Sequence, residues 1–433
     1  MNAPAGFAAA LALLVAAPVA AETYPAAEAQ TLALARETIA LRSVQGDGNR
    51  TAEVAEAFRR ALLAGGWAER DIDIVAVDDT AYLVATWPGS DPGLGPVVLS
   101  AHMDVVEARR ADWGRDPFVP VIENGFLIGR GASDTKFEAS LAVASAIELR
   151  RQGFRPKRSI VIAYSGDEET TMKTSRLLAE RLRAAHIVLN IDGASGLLSE
   201  DTGEPLYWTW QGAEKTYIDF QLEVTNPGGH SSAPRPDNAI ALLAQALQRI
   251  AAHHFTPELN DITRAYFEQV SAIQPDAGLA AAMRAFASDP TDAAAIAVLR
   301  GDPIMNGVIG TTCVPTMVAA GHAPNALPQR ATAVVNCRVF PGHASGEIQA
   351  ELERVAATPG VTFSDITGDT STASPASPLR PEFVAALTRA VRAAWGDVPI
   401  YPAQSAGASD SMWYRALGVP SYGASASFIK DSD

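Results

Sequence analysis

Residues 159–172 read SIVIAYSGDEETTM. Ser159 to Tyr164 is an apolar run rich in β-branched residues, the length and composition of a buried strand. It runs straight into Asp167, Glu168 and Glu169. Successive carboxylates at the end of a buried strand repel one another, so something must hold them there. Other apolar runs end in a similar way. VVLSAHMD carries His102 and Asp104, VLNIDG carries Asp192, and GRGASDTK carries Asp134 in a Gly-rich loop that opens a helix.

The runs DIVAV, AYLVATW, PVVLSAHMD, SIVIAYSG and IVLNIDG read as strands. FEASLAVASAIELRRQG and TSRLLAERLRAA read as helices between the later ones. This alternation predicts an α/β fold with a mainly parallel sheet. In such sheets ligands bind beyond the carboxyl ends of the strands. If the strands are neighbours, His102, Asp104, Asp134, the 167–169 carboxylates and Asp192 meet on one edge.

So many carboxylates do not stay ionised together without cations. A His with several Asp and Glu is an N/O donor set suited to Zn²⁺ or a similar borderline ion. In a strand, residues i and i+2 point the same way. Asp104 is therefore expected to accept a hydrogen bond from His102 and fix its tautomer. Taken singly each piece has a blander explanation. An HxD triplet arises by coincidence, a DEE run is usually a solvated face, and an Asp after a strand usually makes a turn or a cap. The reading rests on four such sites in order.

From about Ala213 the pattern changes. TYIDFQLEVTN alternates like a half-buried strand, and PDNAIALLAQALQRIAAHH is an amphipathic helix. TTCVPTMVAAG and RATAVVNCRVF read as a hairpin across HAPNALPQ, then SGEIQAELERVAAT as a helix and VTFSDI as a strand. This predicts an α+β unit inserted into the first domain. The expected division is a leader at 1–21, a first catalytic segment at 22–212, an inserted lid at 213–370 that includes a helical stretch at 255–310, and a second catalytic segment at 371–433. Cys313 and Cys337 are the two cysteines, each twelve residues from Asn325. A hairpin centred there faces the sulfurs; a disulfide and two buried thiols both remain open.

The 433-residue chain is 48% hydrophobic and 19% charged, an ordinary globular balance with room for two or three domains. Its formal charge of −15 argues against nucleic-acid binding and is compatible with cations. MNAPAGFAAALALLVAAPVAAET opens the chain. Residues 1–21 read as a secretory signal peptide cut near Ala21, although its first residues lack Lys and Arg. No other stretch reads as a membrane span. The expectation is an exported protein, periplasmic or secreted, with no stable membrane span.

LSAHMDVV, GRGASDTK, YSGDEE, NIDG, NPGGHSSAP and PNALPQRATAVVNCRVFPG, in that order, resemble the M20 family of metallopeptidases. The similarity covers about residues 28–423 and looks most like the carboxypeptidase S and N-acyl-amino-acid hydrolase branch. It implies a zinc-exopeptidase-like catalytic domain holding two Zn²⁺, with Co²⁺ or Mn²⁺ as alternatives, and an inserted α+β lid or dimerisation domain. By motif, His102 binds one zinc, Asp134 bridges both through a cis peptide to Thr135, Glu169 binds one and Asp192 the other. Glu168 is the general base, Asp104 orients His102, and Asp167 faces away as a structural residue. His230 stabilises the tetrahedral intermediate across a dimer boundary, so a homodimer through the lid is implied. Asn325 and Arg338 hold the substrate's carboxylate, and Gly407 belongs to a substrate-binding loop.

The implied reaction is hydrolysis of an amide beside a free carboxylate, in a small peptide or an N-acyl amino acid. A di- or tripeptidase of the same family is one alternative. A metal-bound peptide- or amino-acid-binding protein without catalysis is another, which would leave the Glu168–Glu169 pair without a use. The family also supplies a last zinc ligand from a His after the PSYG strand. Here the last His is His343, in the lid by this reading. The expectation is a chain shortened at its C-terminus; otherwise one zinc lacks a ligand.

Overall fold

The computed structural model describes residues 23–430; the expected leader at 1–21 lies outside the described residues. Ten strands form the larger sheet. At its centre Val97–His102 lies between Ile160–Ser165 and Ile187–Asn190, parallel to both. Ser421–Gly423 continues the parallel run beyond Ile187–Asn190. The fold is thus α/β with a mainly parallel central sheet, as the alternation predicts. Thr80–Trp87 adds antiparallel on the far side of Ile160–Ser165, and Ile72–Val77 outside it.

Helices cover both faces. Thr51–Ala64 and Lys136–Arg151 bury Phe58, Leu62 and Val143 with Leu83, Ile162 and Tyr164 of the sheet. Each such side chain contributes about 1.5–3 kcal/mol on burial. The other face packs Val98, Val161 and Val188 against Leu178 and Met412–Tyr414. Thr51–Ala64 ends at Gly65, whose position a Cβ could not share with Ile147: the nearest side-chain carbon would lie at 2.5 Å.

The smaller sheet has four strands in the order Thr312–Ala320, Arg330–Val339, Thr216–Thr225, Val361–Asp365. All its pairs are antiparallel. Alternate residues Ala331, Ala333, Val335, Cys337 and Val339 face helices Ala239–Ala251 and Ser345–Ala356. Cys313 stands opposite Cys337 and the two form a disulfide, so of the two states left open by sequence the paired one is found.

The helical stretch expected within the inserted unit packs elsewhere. Helices Asp261–Val270, Ala277–Ser288, Ala293–Gly301 and Pro303–Val308 share a core with Tyr207 and Tyr401 of the larger sheet. Ile262 joins Trp208 and Trp210 there, and Asn260 donates to Gln404 at 2.8 Å. Sequence position put these helices with the lid. Their apolar faces find aromatic partners on the strand Pro205–Glu214 and its neighbour Ile400–Ser405 instead.

Glu214, the last residue of that strand, is bonded to Arg415 at 3.0 Å, and both side chains are 1% exposed. Gln211 and Ser409 also donate to Glu214. Removing one partner of such a buried pair leaves an uncompensated charge. Glu214→Ala is expected to lower unfolding stability by about 3–5 kcal/mol. Glu53→Ala, which breaks the exposed pair with Arg50, should cost less than about 1 kcal/mol. Urea unfolding of the two variants measures the contrast, and equal losses would remove the buried pair from this role.

Candidate metal centre

The three central strands end side by side, and their sequels supply the predicted residues. His102 closes its own strand and is 1% exposed. Its Nε2 lies 2.7 Å from Asp134 Oδ1 and 3.8 Å from Asp192 Oδ2. Two groups of donor atoms form around it, His102 with Asp134 and Glu169, and His102 with Glu168 and Asp192. Within each group every donor lies within 4.8 Å of the others. The peptide joining Asp134 to Thr135 is cis.

The turn after Ile160–Ser165 is held from several sides. Asp104 accepts the main-chain N–H of Glu168 at 3.1 Å and of Glu169 at 3.0 Å, one on each carboxylate oxygen. Asp167 accepts the N–H of Lys173 at 2.8 Å and of Thr174 at 2.9 Å, with the hydroxyls of Thr171 and Thr174 added. It is bound to the next helix and points away from His102's donors. Gly166 has no room for a side chain, since a Cβ would meet the Ala81 carbonyl oxygen at 2.1 Å.

The expected hydrogen bond from His102 to the Asp104 carboxylate takes a different form. His102 Nδ1 meets the main-chain carbonyl of Asp104 at 3.0 Å, and the carboxylate stands 3.4 Å off. The strand stops at His102, so the i, i+2 alternation no longer applies beyond it. The carboxylate turns to the Glu168 and Glu169 amides instead.

Charge crowding moves the protonation of the whole cluster. Burial raises Glu168 well above the usual carboxylate range, reinforced by Asp192, Asp410 and Asp104 and opposed by His102. Burial and then Asp134 push Glu169 up to about 7. Burial, with Asp134, Glu214 and Glu138, lifts Asp192 to about 6. His102 is pulled down by burial, yet Asp104, Asp134 and Asp192 more than offset this and hold it well above an ordinary imidazole. Asp134 alone is held below its usual value, because its bond to His102, with smaller contributions beside it, outweighs burial. One imidazole with this ionised carboxylate and three whose ionisation is suppressed matches the chemistry of a divalent cation site.

The remaining predicted residues fall in two other places. His230 pairs with Ala326 in a short ladder, and Ser231 N–H donates to the Asn325 carbonyl at 2.9 Å. His230 and Asn325 therefore sit together at the hairpin tip of the smaller sheet, both exposed. Arg338 lies at the far end of Arg330–Val339, about 30 Å away at the usual rise per strand residue. It donates to the Ala406 carbonyl at 2.8 Å, beside Gly407. Asn325 and Arg338 do not converge within one chain.

Three buried groups escaped the reading from sequence. Asp410 precedes the helix Ser411–Ala416, where an Asp reads as a cap. It makes no cap bond; it accepts the Ser165 hydroxyl at 2.7 Å, directly beneath the DEE turn. Lys136, the last residue of GRGASDTK, is fully buried and donates to the carbonyls of Thr38 and Leu41 at the end of helix Pro25–Ile39. Glu138 accepts the hydroxyls of Ser425 and Ser427. Only the N-cap position of Asp410 carried any signal.

Comparison with known proteins assigns the chain to a family. Residues 98–431 match the model of Peptidase family M20/M25/M40, and the chain belongs to that family. It is 32% identical over 286 residues to a probable carboxypeptidase S-like 2 of Dictyostelium discoideum, covering 63% of this chain and 53% of that protein. It is 31% identical over 285 residues to an N-fatty-acyl-amino acid synthase/hydrolase of Mus musculus, covering 61% and 53%. The chain thus spans about half the length of the curated relatives it matches. Among solved structures, an M20 family metallo-carboxypeptidase of Sulfolobus solfataricus superposes with TM-score 0.65 at 17% identity, covering 91% of each chain. Human carnosine dipeptidase 1 superposes at 0.58 and 17%, covering 93% and 89%.

Asp104 carries a prediction. Asp104→Ala frees both amides that aim Glu168 and Glu169. Loss of such an outer partner typically weakens a metal site 10–100-fold. Zinc titration of the purified variant should show a weakening of about that size, with secondary structure by circular dichroism intact. Unchanged zinc affinity would remove Asp104 from this role.

Proposed function

We propose that the chain is a metal-dependent hydrolase that cleaves an amide bond beside a free carboxylate, as in a C-terminal peptide bond or an N-acyl amino acid. The observation that carries this is the pair of donor groups that overlap at His102, one of which includes the buried Glu168. The names of the curated relatives, carboxypeptidase S and N-fatty-acyl-amino acid synthase/hydrolase, favour this substrate class over a di- or tripeptidase.

His102, Asp134, Glu169 and Asp192 would hold two divalent cations, zinc first, with cobalt or manganese as alternatives. Bound there, such ions supply Lewis-acid activation of water and of the amide carbonyl. The chain's own role is proton handling and placement. Glu168 takes a proton from the attacking water and returns it to the leaving amine. Its raised proton affinity suits a group that must hold a proton between the two transfers. Asp104 fixes the main chain of that turn. Arg338 offers a planar fork suited to a carboxylate.

His230 and Asn325 lie too far from Arg338 to share a small substrate with it in one chain. A second copy is the reading that gives them a use. Strand Thr312–Ala320 forms an open edge of the smaller sheet. Val314, Met317 and Val318 on it are 57%, 68% and 70% exposed. An open apolar edge is a template for pairing with another strand. We propose that two copies meet there. Export belongs to the same proposal, supported by the apolar leader and by a disulfide, which persists in oxidising compartments.

Two measurements follow. Glu168→Gln should lower kcat about 10²–10⁴-fold in hydrolysis of N-acyl amino acids, with zinc content by atomic absorption unchanged. Turnover near the wild-type level would place the base elsewhere. Met317→Lys with Val318→Lys should convert a dimer to a monomer in sedimentation-velocity runs. A wild-type chain that sediments as a monomer at tens of micromolar would end the dimer proposal.

A further inference from the structure

Lys215 is the single residue between the last long strand of the larger sheet, Pro205–Glu214, and the first strand of the smaller one, Thr216–Thr225. Its side chain is buried, with 2% of the residue exposed. Its Nζ has one described hydrogen-bond partner, the Thr312 hydroxyl, at a long 3.4 Å. An ammonium has three protons to place. Thr312 stands opposite Arg338 in the strand register, as does Tyr217 on the other side. The Arg338 guanidinium lies over the Tyr217 ring at 4.6 Å.

Both cations also grip the same loop. Lys215 N–H donates to the Ser405 carbonyl at 2.9 Å, and Arg338 donates to the Ala406 carbonyl at 2.8 Å. Neither takes part in any ion pair among the described residues. Arg415 and Lys136, which are buried as deeply, contrast with this. Arg415 has the Glu214 carboxylate, and Lys136 has two helix-end carbonyls. Lys215 instead has a like charge for a neighbour: burial and then Arg338 lower it to about 7. Two neighbouring cations, one of them buried, without a carboxylate between them are costly unless an anion joins them.

We infer that Lys215 is a substrate-binding residue, the second cation of a two-cation seat with Arg338 that holds the anionic end of the substrate at the crossing between the two sheets. This rests on the proposed activity for its substrate class, and it assigns to Lys215 a role that no sequence motif gave it. The ligand chemistry is a single carboxylate, held by the Arg338 fork and charge-assisted from Lys215. The seat lies where the chain passes from one unit to the other. Filling it replaces repulsion between the two cations with attraction to a shared partner.

The test compares N-acetyl amino acids with their uncharged amides, using alanine, leucine and phenylalanine as side chains. Binding by calorimetry to zinc-loaded protein is measured beside hydrolysis, for wild type, Lys215→Met and Lys215→Arg. A lost hydrogen bond to a charged group corresponds to roughly a 10–100-fold loss of affinity. Lys215→Met should lose preference for acid over amide by about that factor, raise KM with kcat little changed, and unfold at the same or a higher urea concentration. Removal of an unpaired buried charge does not destabilise. Lys215→Arg should keep most of the preference.

A purely structural lysine gives the opposite pattern, a lower unfolding midpoint and an unchanged acid-to-amide ratio, and that result overturns the inference. Should Lys215→Met fail to fold, Thr312→Val reads the same seat: it frees Nζ and should leave the preference intact, whereas its loss would make the hydroxyl the ligand instead. Acid-selective binding without hydrolysis by wild type would sink the proposed activity and leave the seat standing. Hydrolysis with no acid preference would do the reverse.

Discussion

Repulsion among carboxylates gathered at the ends of three parallel strands is the constraint around which the larger unit is arranged. The fold treats the acidic side chains within and against this edge in two ways. Asp104 and Asp167 are matched by main-chain N–H groups, while Asp410 accepts a serine hydroxyl on one oxygen and is pushed up to about 7 by burial. These three are anchors. Asp134, Glu168, Glu169 and Asp192 receive no such set and are left with one imidazole between them. Asp134, bonded to that imidazole, is held low, and the proton affinities of the other three are raised. A divalent cation relieves that competition, and for the unmatched set only a cation does so without protonation.

The anchors matter because they convert a repulsive cluster into a rigid one. Asp104 reaches across from one strand to hold the amides of the next turn, so the positions of Glu168 and Glu169 depend on the strand that carries His102. Gly166 lets that turn press against the Ala81 carbonyl, and Thr80 and Thr174 bond its main chain. The donor geometry is therefore fixed by backbone contacts from both neighbouring strands and the following helix. It does not depend on the side chains of Glu168 or Glu169 being pinned, which leaves those side chains free to serve a ligand and a proton.

Much of this was legible in the sequence, for a physical reason. Strand ends that carry charge directly after an apolar run have few structural excuses, and three of them, with the Gly-rich loop of Asp134 in its place in the order, define the edge before any pairing is known. The assumption that those strands are neighbours was the step that could have failed, and the register between 97–102, 160–165 and 187–190 met it. What stayed hidden depended on contacts distant in the chain. The i, i+2 rule could not see that the pleat ends at His102. Asp410 and Lys136 drew no reading from the sequence, because their partners lie 245 residues and about a hundred residues away. The helices 261–308 were assigned by adjacency in sequence, whereas their apolar faces answer to Tyr207 and Tyr401.

The smaller sheet adds a constraint of length. Its strand Arg330–Val339 separates Arg338 from the tip that carries His230 and Asn325. Bending a four-stranded sheet cannot close that gap, because the ladder from Arg330 to Val339 is paired on both sides along most of its length. Rotation about the crossing at Lys215 moves both ends together and leaves their separation unchanged. One small substrate in one chain thus engages one end or the other. Arg338 already touches the loop that follows Ile400–Ser405, a strand of the larger sheet, and on the proposed reading it serves its own chain's site. On the same proposed reading the tip serves a second copy, and the open apolar edge of Thr312–Ala320 is the surface that brings the two copies together.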